Sequence, residues 1–233
     1  MVSRQTAGST LLVVMAKNVL RAFLLCGLLV GCTSVPQIYS TSQYETISLK
    51  TGDLERDGLA ILTPDTVWTR DEDRQALALA VVEVFRNERP DIRCLGLPET
   101  LNRLNRADRS TEYRQMLVEY RESGLFPKPL LQRIGQAVGT RYVAHLKLAG
   151  FDQSYDTRLS AFGLRLLGTK YANARLFLQI WDTETATIAW EGSEESNYAI
   201  DTGMEQSIAF KTIVEEMTRN MIANLPGNPP KKS

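Results

Sequence analysis

The chain has 233 residues, of which 43% are hydrophobic and 23% charged, so it can fold around an apolar core and is not a disordered chain. Lysine plus arginine and aspartate plus glutamate both number 27, which gives a formal net charge of zero. Because binding to DNA or RNA needs a concentrated basic surface, this composition argues against a nucleic-acid partner.

The N-terminus has the pattern of an export signal. Lys17 and Arg21 precede the apolar run from Ala22 to Gly31, which has the length of a signal-peptide core and is too short to span a bilayer. Met15 is an alternative start, because the segment that begins there is a complete signal by itself. No later stretch of the sequence is long and apolar enough to predict a transmembrane helix.

Two cysteines lie in this region, and their surroundings distinguish them. The segment Leu29-Val30-Gly31-Cys32 resembles the bacterial lipobox, which implies that the Cys32 thiol receives a diacylglyceryl group and that cleavage precedes Cys32. Residues 1–31 are then a lipoprotein signal peptide, and Cys26 is discarded with it. The alternative is an ordinary secretory signal that contains cysteines. Thr33 stands where an aspartate would signal retention, and by resemblance to enterobacterial sorting this favours the outer membrane, with the domain facing the periplasm.

The mature chain divides into a tether, one domain and a tail. Residues 32–57 are polar and predict a lipidated tether, which at about 25 residues would keep the domain near the inner leaflet of the outer membrane. Residues 58–225 predict a single folded domain, and the proline-rich residues 226–233 predict a disordered tail. Cys94 is the single cysteine after Cys32, so the domain has no intramolecular disulfide.

The first half of the domain alternates short apolar runs with helical patterns. Residues 58–63 and 92–96 predict two short buried strands. Between them, Thr69–Glu72 matches a helix capping box, and apolar residues at helical spacing follow until Pro90. Three more helices are predicted over residues 98–107, 110–124 and 128–139.

From Tyr142 onward the apolar pattern changes to a period of two. Residues 142–149 and 174–181 both alternate, which predicts two long strands, and the polar turn 182–187 joins the second of them to a third. Residues 151–170 are the least determined segment, with a loop containing a short amphipathic helix as one option. The last helix is predicted over 203–225. The predicted fold class is α/β, a mixed sheet with a long antiparallel hairpin packed by helices in an α/β sandwich.

This order of elements resembles the CsgG, LpoB and TolB-amino-terminal group of envelope proteins over residues 58–225. The pattern is a helix that ends in a glycine turn, a long strand, and a hairpin with a D-x-x-T turn followed by tryptophan. Its residues here are Ile134, Gly139, Tyr142, Val143, Asp182, Thr185 and Trp190. The resemblance implies non-catalytic work, such as activation of peptidoglycan synthases, formation of secretion channels, or scaffolding of envelope complexes.

Three departures limit what the resemblance implies. The tether is shorter than the synthase activators are expected to carry. The sequence has no pair of clean alternating hairpins of membrane length, which a CsgG-like channel needs. No propeller repeats follow the domain, as they do in TolB.

The sequence offers little for catalysis or metal binding. His145 is the single histidine, with Asp152 and Asp156 nearby, but no G-x-S-x-G nucleophile motif is present. We therefore expect His145 to be a solvated residue on a strand face, and Cys94 to be a small buried apolar residue. One histidine and one distant cysteine do not make a zinc site. The sequence predicts a protein that is not an enzyme and that has no cofactor and no metal.

The second face of the predicted strands is the best candidate for a binding surface. If helices cover one face of the sheet, the polar and aromatic residues on the other need a partner or a covering segment. The alternative is that residues 152–170 or a helix cover this face, and Trp190 is expected to pack inside the hairpin. The candidate partner-binding residues are Arg175, Phe177, Gln179, Trp181, His145 and Lys147.

Two hypotheses of function follow from the sequence. In the first, the chain is a lipid-anchored, non-catalytic binding or scaffold module that docks a protein partner at the outer membrane. In the second, it is a subunit of an outer-membrane secretion channel or assembly complex. The sequence leaves the oligomeric state and the partner open, and the size of the protein in detergent would separate the two hypotheses.

Overall fold

Seven strands of the described chain form one mixed sheet. The computed structural model describes residues 37–66, 71–161, 164–202 and 210–227. The strands are β1 (Gln37–Thr46), β2 (Leu59–Ile61), β3 (Asp65–Thr66), β4 (Cys94–Leu95), β5 (Tyr142–Ala161), β6 (Leu164–Asp182) and β7 (Thr187–Thr202). Their order in the sheet is β1-β7-β6-β5-β2-β4, and β3 also pairs with β5.

Six helices of the described chain pack on the two faces of this sheet. They are α1 (Asp53–Asp57), α2 (Asp71–Glu88), α3 (Leu97–Arg106), α4 (Ser110–Ser123), α5 (Lys128–Val138) and α6 (Phe210–Ala223). The short strands β2, β3 and β4 pair in parallel, whereas β1, β7, β6 and β5 are antiparallel neighbours. The predicted fold class is confirmed: a mixed sheet with a long antiparallel hairpin, packed by helices.

Alternation along the long strands sorts their residues between two apolar cores. The even-numbered residues of β5 from Tyr142 to Leu148 and of β6 from Ala174 to Ile180 are buried against α2 and α6. Val143 and Trp181, which point to the opposite face, belong to a second core with residues of α3, α4 and α5. Because successive side chains of a strand alternate between faces, the period of two in the sequence already separated these sets.

The predicted helices agree with the structure in type, and the bounds of α3, α4 and α5 agree within one residue, whereas residues 203–209 of the predicted last helix lie outside the described residues. The predicted apolar face of the last helix is confirmed, since Ile213, Met217 and Met221 are all buried. The capping box proposed at Thr69 lies outside the described residues, as do the proposed signal peptide, Cys32 and most of the tail.

The predicted tether is the first correction. From Gln37 the chain is strand β1, which pairs with β7 from Ala199 to Trp190, and α1 follows it. The composition of β1 is polar because most of its side chains are exposed, but Tyr and Thr side chains favour strands. The part of the predicted tether that precedes the sheet is therefore residues 32–36, not 32–57.

The segment 151–170 is the second correction. It continues β5 to Ala161 and opens β6 at Leu164, so the two strands form a hairpin of about twenty residues on each side. Bulges near Leu148 and Thr157 interrupt the register of the pair. Such irregularities break the strict period of two, which hid these strands in the sequence.

The turn between β6 and β7 depends on Asp182. Its carboxylate accepts hydrogen bonds from Arg141 Nη2 at 2.8 Å and from the Glu184 backbone N–H at 2.9 Å, and the side chain is almost fully buried. Burial alone would raise the pKa of the Asp182 carboxyl, but the Arg141 hydrogen bond and the backbone N–H groups of Glu184 and Thr185 lower it below its ordinary value.

We expect the Asp182 carboxylate in this turn to make the free energy of unfolding decrease at low pH. A carboxyl whose pKa is lowered by folding stabilises the fold above its unfolded pKa of about 3.9, and this contribution is lost as pH falls through the folded pKa. Asp182→Asn should lower the free energy of unfolding at pH 7 by about 1–3 kcal/mol and flatten its loss below pH 4. Urea unfolding at pH 7 and pH 3 measures both effects.

Glu99→Gln is the matched control for the Asp182 variant. Glu99 pairs with Arg103 at 2.7 Å on α3, and its side chain is half exposed. Exposed pairs of this kind contribute about 0–1 kcal/mol, so this variant should change stability little at either pH. Equal effects of the two substitutions would contradict a special role for the Asp182 turn.

Gly135 lets α5 approach this same turn. A Cβ added to Gly135 would lie 2.6 Å from the Cβ of Thr183, closer than such atoms come in proteins. We expect Gly135→Ala to destabilise the domain by about 1–3 kcal/mol through overpacking, although alanine favours a helix by about 1 kcal/mol. Thermal denaturation measures the net effect. Gln136→Ala, on the exposed side of α5, should be close to neutral, and Thr183→Gly should rescue Gly135→Ala. A Gly135→Ala variant as stable as wild type would show that helix propensity outweighs the clash.

Candidate partner-binding face

The structure divides the predicted partner-binding residues into two groups. His145 and Trp181 lie beneath helices, and each side chain is 2% exposed. Arg175 and Lys147 are exposed, whereas Phe177 and Gln179 are half-buried between the two regions. The prediction that all six residues form one accessible surface is therefore wrong for His145 and Trp181.

Aromatic side chains from α4 and the loop after it cover these two residues. The Tyr120 and Phe126 rings stack with centroids 4.3 Å apart, and the Tyr120 ring meets His145 edge-on at 4.4 Å. Phe126 packs against Trp181 with centroids 5.0 Å apart. The prediction of a solvated His145 is also wrong, because the end of α4 closes over this part of the sheet.

The buried histidine has an acidic neighbour. His145 Nε2 lies 3.4 Å from Asp65 Oδ2, at the short strand β3. Burial opposes ionisation of Asp65, but its contact with His145 and the positive charges of Arg121 and Arg74 outweigh it, so the pKa of Asp65 is lowered. Burial and the nearby charges of Asp65 and Glu191 raise the pKa of Tyr120 to about 12, so its hydroxyl stays protonated and donates to Gln179.

On the sheet face that carries Val143 and Trp181, the helices leave one half uncovered. There, side chains that are cross-strand neighbours on β1, β7, β6 and β5 form rows across the strands. We call this half the open face. One row places Thr41 of β1 and Glu195 of β7 beside Arg175 of β6, and the next places Gln43 and Ser193 beside Phe177 and Lys147. Its members are Tyr39, Thr41, Gln43, Glu45, Lys147, Asp152, Tyr171, Asn173, Arg175, Phe177, Gln179, Glu191, Ser193, Glu195 and Asn197.

The open face combines aromatic rings, amides and charges. Arg175 Nε donates to Glu195 at 2.9 Å, and Asn173 donates to Asn197 at 2.6 Å in the next row. Glu45 and Glu191 face each other across β1 and β7, where like charges oppose each other. Four carboxylates stand against two cations, so the open face is mildly acidic.

Gln179 links the open face to the covered half. Its Oε1 accepts from Tyr120 at 2.9 Å and from Trp181 Nε1 at 3.2 Å, and its Nε2 donates to Glu191 at 3.1 Å. Beside it is a cavity of about 410 Å³, whose lining includes Gln43, Glu45, Phe177, Gln179, Glu191 and Ser193. These bonds fix the side chains at one end of the cavity, so a partner would meet a preorganised surface there.

On the sheet face opposite the open face, a buried carboxylate forms hydrogen bonds that link β1 to β7. Glu194 is fully buried, and one of its oxygens accepts from Ser42 at 2.7 Å and from the Tyr44 hydroxyl. Burial and the Glu194 carboxylate raise the pKa of Tyr44 above its ordinary value. Sequence reasoning missed this contact, because the residues that form it are about 150 positions apart.

The other residues considered for chemistry lie apart from the open face. Cys94 is partly buried at β4, and burial raises the pKa of its thiol to about 12, so it holds its proton near neutral pH. Within the described ranges, no group of three or more His, Cys, Asp or Glu side chains could hold a metal ion. None of the helices described here has the length and apolar character needed to cross a membrane.

No protein-family model and no curated protein matches the sequence. Among solved structures, the chain is similar to the PelC dodecamer from Paraburkholderia phytofirmans, with 10% identity, a TM-score of 0.46, and coverage of 82% of this chain and 100% of that one. It is also similar to lipoprotein GNA1162 from Neisseria meningitidis (11% identity, TM-score 0.37, coverage 72% and 99%). A third similar structure is the LpoB C-terminal domain from Salmonella enterica (13% identity, TM-score 0.34, coverage 64% and 86%).

Proposed function

We propose that the chain is a lipid-anchored, non-catalytic module of the bacterial envelope that docks a protein partner through the open face. The observation that carries this proposal is that helices cover only part of the sheet face on which His145, Arg175 and Trp181 lie. Helices bury His145 and Trp181, whereas the rows around Arg175 and Phe177 remain accessible. The anchor is Cys32 at the outer membrane, with the domain in the periplasm.

The chemistry of the open face suits a protein partner. Protein interfaces are enriched in arginine and aromatic residues, surrounded by polar groups that pair across the contact. On the open face, Arg175, Phe177 and the exposed Tyr39 are the arginine and aromatic residues. The amides and carboxylates of the neighbouring strands are the polar groups around them. The excess of carboxylates favours a partner surface with basic residues or backbone N–H groups.

The same geometry supports a non-catalytic role. The one histidine of the chain is 2% exposed and packs against the Tyr120 and Phe126 rings, so a substrate has no access to its ring. The Cys94 thiol is protonated and belongs to a different edge of the sheet. Neither residue faces the cavity on the open face.

The short connection between the proposed anchor and β1 supports a partner close to the membrane. Five residue steps separate Cys32 from Gln37, which span at most about 18 Å when fully extended. A domain held this closely has a high effective concentration toward membrane neighbours and cannot reach across the cell-wall layer. The partner is therefore expected in or next to the outer membrane.

A photo-crosslinking amino acid at Phe177 tests the docking face in living cells. We expect a discrete adduct from this position and none from Glu122, an exposed control on α4. The substitution Arg175→Glu should remove the adduct while the protein stays folded and membrane-bound. Equal adducts from both positions, or an adduct unaffected by the charge reversal, would contradict docking through the open face.

Lengthening the segment between Cys32 and Gln37 tests whether the partner lies close to the membrane. Inserting about 40 flexible residues between Cys32 and Gln37 should weaken the Phe177 adduct, because effective concentration falls with linker length. A partner in the cell wall or inner membrane predicts the opposite result. An adduct that grows stronger with the longer connection would therefore overturn the membrane-proximal location.

The edges of the sheet favour a second candidate, a subunit of a channel or assembly complex. In the described chain β1 pairs only with β7, and β5 from residue 149 onward pairs only with β6. Long unprotected edge strands can pair with another copy, and β1 contains neither lysine nor proline to prevent it. A Phe177 or Tyr39 adduct of twice the chain's own mass, with a large species in detergent, would favour this candidate.

A further inference from the structure

Two glutamates face each other on the open face without a cation between them. Glu45 of β1 is directly opposite Glu191 of β7, and in such pairs the Cβ atoms lie roughly 4.5–5.5 Å apart. Within the described part of the chain, neither carboxylate forms an ion pair with a lysine or arginine, whereas Glu195 on the same strand is paired with Arg175. Like charges directly opposite each other destabilise a sheet, and a cation placed between them would remove that repulsion.

These two carboxylates line the cavity on the open face. Its volume is about 410 Å³, which is large enough to take an amino-acid side chain. Phe177 and Glu191 are half-buried there, whereas Gln43 and Glu45 of the edge strand β1 are exposed. The cavity therefore offers an aromatic ring, side-chain amides and two carboxylates to a single ligand group.

The Glu191 carboxylate is held in place by a neutral group. Its Oε2 accepts from Gln179 Nε2 at 3.1 Å, and Gln179 is itself fixed by the hydrogen bonds that Tyr120 and Trp181 donate to its Oε1. The other oxygen of Glu191 has no hydrogen-bond donor among the residues that the structure describes. The carboxylate is thus oriented but keeps its full charge and one free acceptor oxygen for a ligand.

We propose that this cavity binds an arginine side chain of the protein partner, between Glu45 and Glu191. A guanidinium is a planar fork of N–H donors, so it can donate to two carboxylates at once and still stack on an aromatic ring, here that of Phe177. The compact ammonium group of lysine has the charge but not the planar fork, so arginine fits the cavity better. This inference rests on the proposed function, because the cavity belongs to the open face.

Fluorine NMR on the full chain in detergent measures this binding. The chain carries a fluorinated phenylalanine in place of Phe177 and is titrated with N-acetyl-arginine methylamide. We expect a saturable shift of the fluorine signal, a weaker effect from the lysine analogue, and none from the uncharged citrulline analogue. Glu45→Gln combined with Glu191→Gln should weaken arginine binding by about tenfold, the loss expected for one charge-assisted hydrogen bond. Glu99→Gln on α3, outside the open face, is the control and should leave the affinity unchanged.

The double glutamine variant also has a control for folding. Because it removes the repulsion between the two carboxylates, its thermal denaturation temperature should be no lower than that of the wild type. A loss of arginine binding by a variant of unchanged stability therefore reports on the cavity and not on the fold.

The titration and the crosslinking experiment in cells separate two failures. A discrete Phe177 adduct together with no saturable arginine shift, or with equal binding of the citrulline analogue, overturns the arginine site and leaves docking through the open face intact. An adduct that the double glutamine variant forms at full strength overturns the arginine site in the same way. Saturable arginine binding together with equal adducts from Phe177 and Glu122 supports the site and contradicts the proposed function.

Discussion

Replacing Trp181 by alanine is expected to destabilise the domain by about 3–5 kcal/mol, the usual loss for a large buried aromatic residue. The indole is 2% exposed, packs against Phe126, and donates to Gln179 at 3.2 Å. The substitution would leave a cavity between the sheet and the loop after α4, and it would remove one partner of Gln179. Urea unfolding followed by circular dichroism measures the loss.

Arg175→Ala is the matched control on the same strand. Its side chain is half exposed and pairs with Glu195, so its removal should change stability by no more than about 1 kcal/mol. The Phe177 adduct should nevertheless weaken in Arg175→Ala if this residue contacts the partner. A Trp181→Ala variant as stable as Arg175→Ala would show that Trp181 is not part of the core and would return it to the binding surface.

Replacing Cys32 by alanine is expected to abolish lipid attachment completely. Each acyl chain contributes about 0.8 kcal/mol per buried CH₂ to membrane binding, and the thiol is the acceptor of the first lipid in the lipobox pattern. The variant should accumulate as an uncleaved precursor without incorporated lipid. Mass spectrometry of the purified chain and labelling with radioactive palmitate measure the two effects.

Cys26→Ala is the natural comparison, because both cysteines lie in the same apolar region. In the proposed assignment Cys26 belongs to the signal peptide that cleavage removes, so its replacement should leave processing and lipid content unchanged. Normal processing of the Cys32→Ala variant, or loss of lipid from the Cys26→Ala variant, would contradict the assignment of the anchor.

The part of the fold that could be predicted depends on patterns within single elements. The period of two in β5 and β6 identified the residues that pack against α2 and α6, because alternation is a property of the strand itself. The glycine after α5 marked its end correctly, since Gly139 has a positive φ of 73° that favours glycine. These features needed no knowledge of the neighbouring elements.

The remainder depends on contacts between distant segments. Nothing in the polar sequence of β1 shows that Glu194 will bind Ser42 and Tyr44, so the sequence by itself predicts a tether there. Likewise, His145 and Trp181 have the polar-aromatic character of a surface, and only the placement of Tyr120 and Phe126 buries them. Alternation along the strands predicts which side chains share the face of the candidate site. It does not predict which of them the end of α4 and the loop after it cover.

The place of β1 in the sheet also sets an order of events in folding. Ser42 and Glu194 are 152 positions apart, so pairing β1 with β7 closes the longest loop in the sheet. A chain exported from its N-terminus presents β1 first and β7 nearly last. With the proposed anchor at Cys32, the β1 segment would therefore stay unpaired, and this cysteine accessible to modifying enzymes, until β7 has also crossed the membrane. We therefore expect lipid attachment at the proposed anchor to precede the pairing of β1 with β7.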